Sequence, residues 1–204
     1  MATWTVTDSI WVAAAISAGL VLIVVVVWWA RRQVFQMVEA RPVLIVAIGS
    51  DAELSLDLTA FRAVRTETKM DFLRIRDATL NDLKVALDRE RGRGRTTNVH
   101  LAVHAGPTGV EMGGQIVDAV ALSEILDGVQ ILVIAGCSAA QMGDFLGVAP
   151  YVVSMNEAVT HTDAALWSRY WWTAIGNRMT PDQALREALR RSPSGMSEYV
   201  VHSW

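Results

Sequence analysis

The feature that most constrains the fold of this chain is an alternation of two sequence patterns. Short runs of aliphatic residues recur along the chain, and segments with helical spacing or helix-capping residues separate them. The runs cover residues 43–49, 72–76, 99–103, 129–134 and 151–155. Because successive parallel strands need a long crossover, which is usually a helix, the alternation predicts an α/β fold with a mostly parallel sheet and helices on both of its faces.

Helix-capping residues mark where predicted helices begin. Thr79 precedes Asp82 in a Thr-x-x-Asp capping pattern, and Thr180 precedes Gln183 in a capping box. After the last predicted helix, the aliphatic character of residues 199–201 indicates a late edge strand. These signals complete an alternating order of strands and helices.

The amino-terminal part carries a different signal. Residues 10–30 contain no charged side chain, and in a helix they span roughly 30 Å, the thickness of the hydrocarbon core of a bilayer. Trp11 lies near one end and Trp28 and Trp29 lie at the other, as is typical of aromatic residues at the two membrane interfaces. The pattern predicts a transmembrane helix.

Charged residues beside this helix predict its orientation. Arg31, Arg32 and Arg41 follow it, whereas the first nine residues carry only Asp8, so the positive-inside rule places the following domain in the cytoplasm. We expect a single-pass protein of the inner (plasma) membrane with its N-terminus outside. Its predicted parts are a short extracytoplasmic N-terminus (1–9), the transmembrane helix (10–30), a juxtamembrane linker (31–41) and a cytoplasmic domain (42–204).

Composition excludes several kinds of partner and site. The formal net charge of −3 provides no electrostatic footprint for nucleic acid. The chain has one cysteine, which excludes an intramolecular disulfide, and no histidine has metal-ligand spacing with it. We therefore expect no metal and no other cofactor. His100, in the middle of an aliphatic run, is expected to be an ordinary histidine of the core.

Two chemically active residues follow predicted neighbouring strands. His104 comes directly after one aliphatic run, and Cys137 comes shortly after the next. Because the carboxyl ends of parallel neighbours share one edge of a sheet, we expect the two side chains in the same crevice. A thiol attacks carbonyls as its thiolate, which a nearby histidine stabilises, so the pair is a candidate catalytic dyad. Backbone amides near Gly106 and at Cys137 are candidates for stabilising an oxyanion.

The order of these motifs resembles a known family. His104-Ala105-Gly106 after a strand, a glycine-rich hairpin, and Ala135-Gly136-Cys137-Ser138-Ala139 after the next strand are similar to the caspase-like cysteine peptidases, the clan of caspases, separases and clostripain-like proteases. Among these, the chain is most similar to bacterial CHAT domains, over roughly residues 42–191. The resemblance implies a caspase-like (CHAT-like) three-layer sandwich after one transmembrane helix, with Cys137 as nucleophile and His104 as base.

The same resemblance implies an activity. It indicates a membrane-anchored cysteine endopeptidase that cleaves a protein or peptide substrate, as a bacterial effector in antiviral defence or programmed cell death. Ala135 stands where relatives that cleave after basic residues often carry an acid, which puts that preference in doubt. Glu157 and Asp163 are candidates for a specificity pocket, although capping a helix is the simpler role for Asp163.

Two other classes of function stay open. One is a catalytically inactive caspase-like scaffold or sensor that binds protein partners at the membrane. The other is an α/β domain that binds a small molecule in a pocket away from Cys137. A regulatory protein partner or self-association is also expected, because at least one tryptophan among Trp167, Trp171 and Trp172 should remain exposed on its helix.

Overall fold

A computed structural model of the chain describes residues 42–49, 56–68, 70–106, 108–136, 149–155, 160–192 and 200–203. By its internal contacts the chain divides into two units, Met1–Ala40 and Arg41–Trp204, and every described residue belongs to the second unit. The predicted extracytoplasmic segment, transmembrane helix and linker lie outside the described residues.

The described residues form nine strands and five helices. In chain order these are β1 (Val43–Ile48), α1 (Leu56–Glu67), β2 (Asp71–Ile75), α2 (Leu80–Gly92), β3 (Thr97–Ala102), β4 (Ala105–Gly106), β5 (Gly109–Met112), β6 (Gln115–Val117), α3 (Ala119–Leu126), β7 (Val129–Ile134), β8 (Tyr151–Met155), α4 (His161–Gly176), α5 (Pro181–Arg191) and β9 (Val200–Ser203).

Six of these strands form the central sheet, in the order β2-β1-β3-β7-β8-β9. The first five are parallel, and β9 pairs antiparallel with β8 at the far edge. The predicted α/β fold with a mostly parallel sheet is therefore confirmed. The predicted late edge strand is also present, as β9, and the edge position of β2 agrees with its alternating apolar and basic side chains.

Helices cover both faces of the sheet. Successive side chains of a strand point to opposite faces, so Leu44 and Ile45 of β1 belong to two different clusters of the core. Ile45 packs in a cluster with residues of α2 and α3, including Leu83 and Leu122. Leu44 packs in a cluster with residues of α1, α4 and α5, including Phe61. The predicted layering of helix, sheet and helix is thus present in the described residues.

The tryptophans of α4 correct one prediction. Trp167, Trp171 and Trp172 are at most 1% exposed, so none of them forms the exposed partner surface that was expected. Trp167 and Trp171 stack with ring centroids 5.5 Å apart. The expectation of an exposed tryptophan was wrong because α4 is enclosed by the sheet together with α1 and α5, and such a helix buries more than one stripe.

His100 lies in the same core, as expected. It is completely buried, and Trp172 Nε1 donates a hydrogen bond to its Nδ1 at 3.2 Å. The ring of Phe61 packs edge-on against the imidazole, with centroids 4.8 Å apart. Burial disfavours the charged imidazolium and lowers the pKa of His100 to about 3. The imidazole is therefore neutral at physiological pH.

The predicted membrane localisation is not supported. Among the helices within the described ranges, none combines the length and apolar character needed to cross a bilayer. The segment on which the prediction rested, residues 10–30, lies outside those ranges. The prediction of a single-pass protein of the inner membrane is corrected accordingly.

Candidate functional site

The order of the parallel strands places a switch point between β1 and β3. From β1 the chain passes to β2 on one side and then returns to β3 on the other side. In open α/β sheets, ligands bind outside the carboxyl ends of the strands at such a point. Here those ends are joined by a hydrogen bond from the Gly49 amide to the Ala102 carbonyl, at 2.9 Å.

His104 lies two residues beyond β3, at this edge, and it is exposed. Its backbone carbonyl accepts a hydrogen bond from the Glu111 amide of β5 at 2.8 Å. This bond ties the histidine backbone to the small antiparallel sheet of β4, β5 and β6, which is the glycine-rich hairpin expected after the histidine. Gly106 lies in β4, two residues after His104.

Glycines shape that hairpin. Gly113 and Gly114 form the two-residue turn between β5 and β6, and both have positive φ angles, +57° and +75°, as a type I′ turn requires. At Gly109 a Cβ atom would lie 2.3 Å from the Val117 carbonyl oxygen, so no larger residue fits. The sequence pattern of glycines therefore has a backbone cause in this hairpin.

Gly136 brings the end of β7 against the residues that flank His104. A Cβ atom on Gly136 would lie 2.6 Å from the Val103 carbonyl oxygen and 2.7 Å from Ala105 Cβ. Next to it, the Ala135 amide donates to the Leu101 carbonyl at 2.8 Å, which extends the pairing of β3 with β7 to the edge of the sheet. The residue that precedes Cys137 thus packs directly beside the backbone on either side of His104.

The other predicted site residues are placed as follows. Cys137 and Glu157 lie outside the described residues. Asp163 lies in the first turn of α4, which begins after the cap residue Thr160. The Asp163 carboxylate accepts a hydrogen bond from the Thr160 hydroxyl at 2.8 Å, so the side chain takes part in capping the helix. In the described part of the chain, no group of three or more His, Cys, Asp or Glu side chains is arranged to hold a metal ion.

A second polar feature, which the sequence reasoning did not single out, lies at the opposite end of the sheet, where the parallel strands begin. We call this end the amino edge, in contrast to the carboxyl edge beside His104. A cleft of about 280 Å³ opens beside the amino end of β2, and four arginines line it: Arg65, Arg89, Arg93 and Arg95. Three of them come from the segment 88–95, where arginine alternates with other residues. That alternation was the available signal, because it concentrates basic side chains at the end of one helix.

No family model matches the chain, and no curated protein matches it either. Solved structures do match, among them the pyridoxal kinase from Staphylococcus aureus, with a TM-score of 0.44 and 11% identity over 80% of this chain and 98% of that chain. The same kinase in complex with AMP-PCP has a TM-score of 0.44 and 11% identity over 73% of this chain and 85% of that chain. Likeness at this level assigns no activity to the chain.

These matches correct the family prediction. No family model supports the predicted resemblance to caspase-like peptidases and CHAT domains, and the solved structures named above are pyridoxal kinases, so this prediction is corrected. The predicted cysteine endopeptidase and its role as a defence or cell-death effector are wrong with it, as is the alternative of an inactive caspase-like scaffold or sensor. The motifs behind the resemblance were short, and glycine-rich turns after parallel strands are a general requirement of α/β folds rather than a mark of one family.

Proposed function

We propose that this chain is an α/β domain that binds a small molecule at the carboxyl edge of β1 and β3, with His104 and Cys137 as its chemically active side chains. The contact of Gly136 with Val103 and Ala105 is the observation that carries the proposal. Because Gly136 directly precedes Cys137 in the sequence, this contact favours a position of Cys137 beside His104.

Three features of the edge support a ligand site there. The edge is a switch point of the sheet, where α/β domains typically bind small molecules. His104 is exposed, so its imidazole is accessible to a ligand. The hydrogen bond between Glu111 and the His104 carbonyl holds the histidine backbone against the hairpin, which limits the reorganisation that binding requires.

The pairing of His104 with Cys137 is tested by alkylation, because the chain has a single cysteine and iodoacetamide therefore reports on one thiol. A nearby imidazole stabilises the reactive thiolate, so His104→Gln should slow alkylation at pH 7 by about tenfold. The matched control is His161→Gln, which removes a histidine from the first turn of α4 and should leave the rate unchanged.

Equal rates for the wild type and His104→Gln, or equal losses in both variants, would contradict the pairing. Binding is then tested by a thermal-shift screen of pooled soluble metabolites against the wild type and His104→Gln. Ligands that stabilise the wild type and lose this effect in His104→Gln are assigned to the carboxyl edge. A screen whose hits all stabilise both proteins equally argues against a site there.

A further inference from the structure

We propose that the arginine-lined cleft at the amino edge of the sheet is a second binding site, which takes a small phosphate-type anion, either free phosphate or a phosphomonoester. The cleft lies beside β2, which forms one edge of the sheet. Arg65 comes from the last turn of α1, and Arg89 comes from the last turn of α2. Two helix ends and the chain entering β3 therefore direct basic side chains to one place.

A buried carboxylate organises these arginines. Glu90 is 1% exposed, and its Oε1 lies 3.0 Å from both Arg89 Nε and Arg93 Nη1. Arg95 pairs with Asp71 at 2.6 Å between Nη1 and Oδ2. Each guanidinium presents five N–H donors in a fixed fork, so these pairs hold the arginines in position and use only part of their donors.

The charge of the cleft favours an anion. Its lining contains four guanidiniums and two carboxylates, those of Asp71 and Glu90, so a positive excess remains. Arginine forks bind the oxygens of phosphate in pairs, and a charge-assisted hydrogen bond of this kind is stronger than a neutral one. A doubly charged phosphate group matches this excess better than a neutral ligand does.

One N–H donor in the cleft, that of Arg95 Nε, forms no hydrogen bond with the described residues. Arg95 Nε lies 2.9 Å from Glu90 Oε2, close enough for an ion pair. Within the described residues, however, neither of these two buried atoms forms a hydrogen bond. Buried polar groups are nearly always hydrogen-bonded, so this guanidinium N–H is a donor that a bound ligand can use. An anion oxygen in the cleft would accept a hydrogen bond from it.

The size and position of the cleft limit which ligands it can bind. About 280 Å³ is at the small end of ligand pockets, which fits a phosphate or a small phosphomonoester better than a nucleotide cofactor. The cleft is at the opposite edge of the sheet from His104 and Gly136, so this site is independent of the function proposed above.

Calorimetric titration of the full chain tests the site, with inorganic phosphate and glycerol 3-phosphate as separate probes. Arg65→Gln and Arg93→Gln should each weaken binding by about tenfold, because each removes donors from the anion. The matched control is Arg62→Gln, which removes the same charge from an exposed position one turn earlier on α1 and should change the affinity less than about twofold. Melting temperatures of the three variants establish that each is folded.

A phosphate group can also belong to a lipid, and vesicles of phosphatidylcholine with and without phosphatidic acid separate the two sources. Binding that depends on phosphatidic acid and on Arg65, without binding of the soluble probes, assigns the same site to a lipid headgroup. The proposal is overturned if neither soluble probe nor vesicle binds with a Kd below about 10 mM. It is equally overturned if Arg62→Gln weakens binding as much as Arg65→Gln, since the attraction is then a general effect of charge.

Discussion

The two edges of the central sheet are built by different means. At the carboxyl edge, backbone contacts dominate: Gly136 packs against Val103 and Ala105, and the carbonyl of His104 is bound by the hairpin. At the amino edge, side chains dominate, and Glu90 with Asp71 holds an array of arginines. The carboxyl edge therefore depends on space that only glycine leaves, whereas the amino edge depends on charge balance.

This difference indicates which kind of substitution destabilises each edge. A site defined by close backbone packing is disturbed by added volume, even by one methyl group. A site defined by ion pairs to a buried carboxylate tolerates added volume better, but it is disturbed when that charge is removed and its partners stay behind. Three predictions compare how the stability of the chain responds to changes in the core, at the amino edge and at the carboxyl edge.

The largest expected effect is the pH dependence of stability caused by a histidine of the core. It determines the stability against which substitutions at both edges are measured. His100 has a pKa of about 3 in the folded chain, against 6.5 for an unperturbed histidine, because burial disfavours its charge. Between these two values the unfolded chain binds the proton and the folded chain does not. The histidine therefore costs no stability above pH 6.5, and as the pH falls toward 3 the free energy of unfolding should decrease by about 1.4 kcal/mol per pH unit.

Urea unfolding measured from pH 7 to pH 4 checks this slope, and His100→Leu is the comparison variant. The variant should lose most of the decrease, because leucine does not titrate. An identical pH dependence in both proteins would assign acid sensitivity to other groups. In that case the comparison between the two edges would have to be made at each pH separately.

A large effect is expected when the charge of Glu90 is removed at the amino edge. Glu90→Gln leaves Arg89, Arg93 and Arg95 without their shared carboxylate, and the expected loss is about 2.5 kcal/mol in the free energy of unfolding, less than for a fully buried pair because these arginines are 25% to 58% exposed. Asp88→Asn is the matched control on the same helix. Asp88 is 53% exposed and pairs with Lys84 and Arg91 at the surface, so its loss should cost less than about 1 kcal/mol.

Chemical denaturation of both variants at neutral pH measures these losses. Equal values for Glu90→Gln and Asp88→Asn would mean that the buried carboxylate is no more important than a surface one. The amino edge would then not depend on the balance of its charges.

A smaller effect is expected at the carboxyl edge. Gly136→Ala places a Cβ atom against the Val103 carbonyl, and the backbone shift that relieves this contact should cost about 2 kcal/mol. Gly92→Ala is the control, because a Cβ atom there meets no other atom within 4 Å and the backbone conformation is an ordinary one. That variant should be neutral or stabilised by up to about 1 kcal/mol.

Melting temperatures of the two glycine variants decide this prediction. If Gly136→Ala is as stable as the wild type, the contact between the end of β7 and the residues around His104 is looser than the structure indicates. The proposed pairing of His104 with Cys137 would then lose its main support.

Local patterns predicted much of the fold. The aliphatic runs marked the five parallel strands, and the residues Thr79 and Thr180 marked the starts of α2 and α5, where both capping boxes are formed. Each of these signals involves residues close together in sequence, so no knowledge of the tertiary structure is needed to interpret it. The position of His104 just beyond β3 followed for the same reason.

The errors arose where the prediction depended on more than local pattern. Short glycine-containing motifs suggested a family, although such turns occur at the ends of parallel strands in many α/β folds. The tryptophans of α4 were assigned by helical spacing, which cannot show how many neighbours enclose a helix. The cleft at the amino edge was missed because its charged residues come from three separate parts of the sequence, around Arg65, around Asp71 and from residue 89 to residue 95, which no local pattern connects.

The sequence by itself determined the class of the fold, the order of its strands and helices along the chain, and the placement of His104 after a buried strand. Periodicity, capping residues and turn glycines act over a few residues, so they can be interpreted without coordinates. Only the tertiary structure decided which distant residues meet. Trp172 reaches His100 across 72 positions, Arg95 reaches Asp71 across 24, and Gly136 packs beside Val103. These contacts depend on the lateral order of the strands and on the packing of helices against them, which no local pattern encodes.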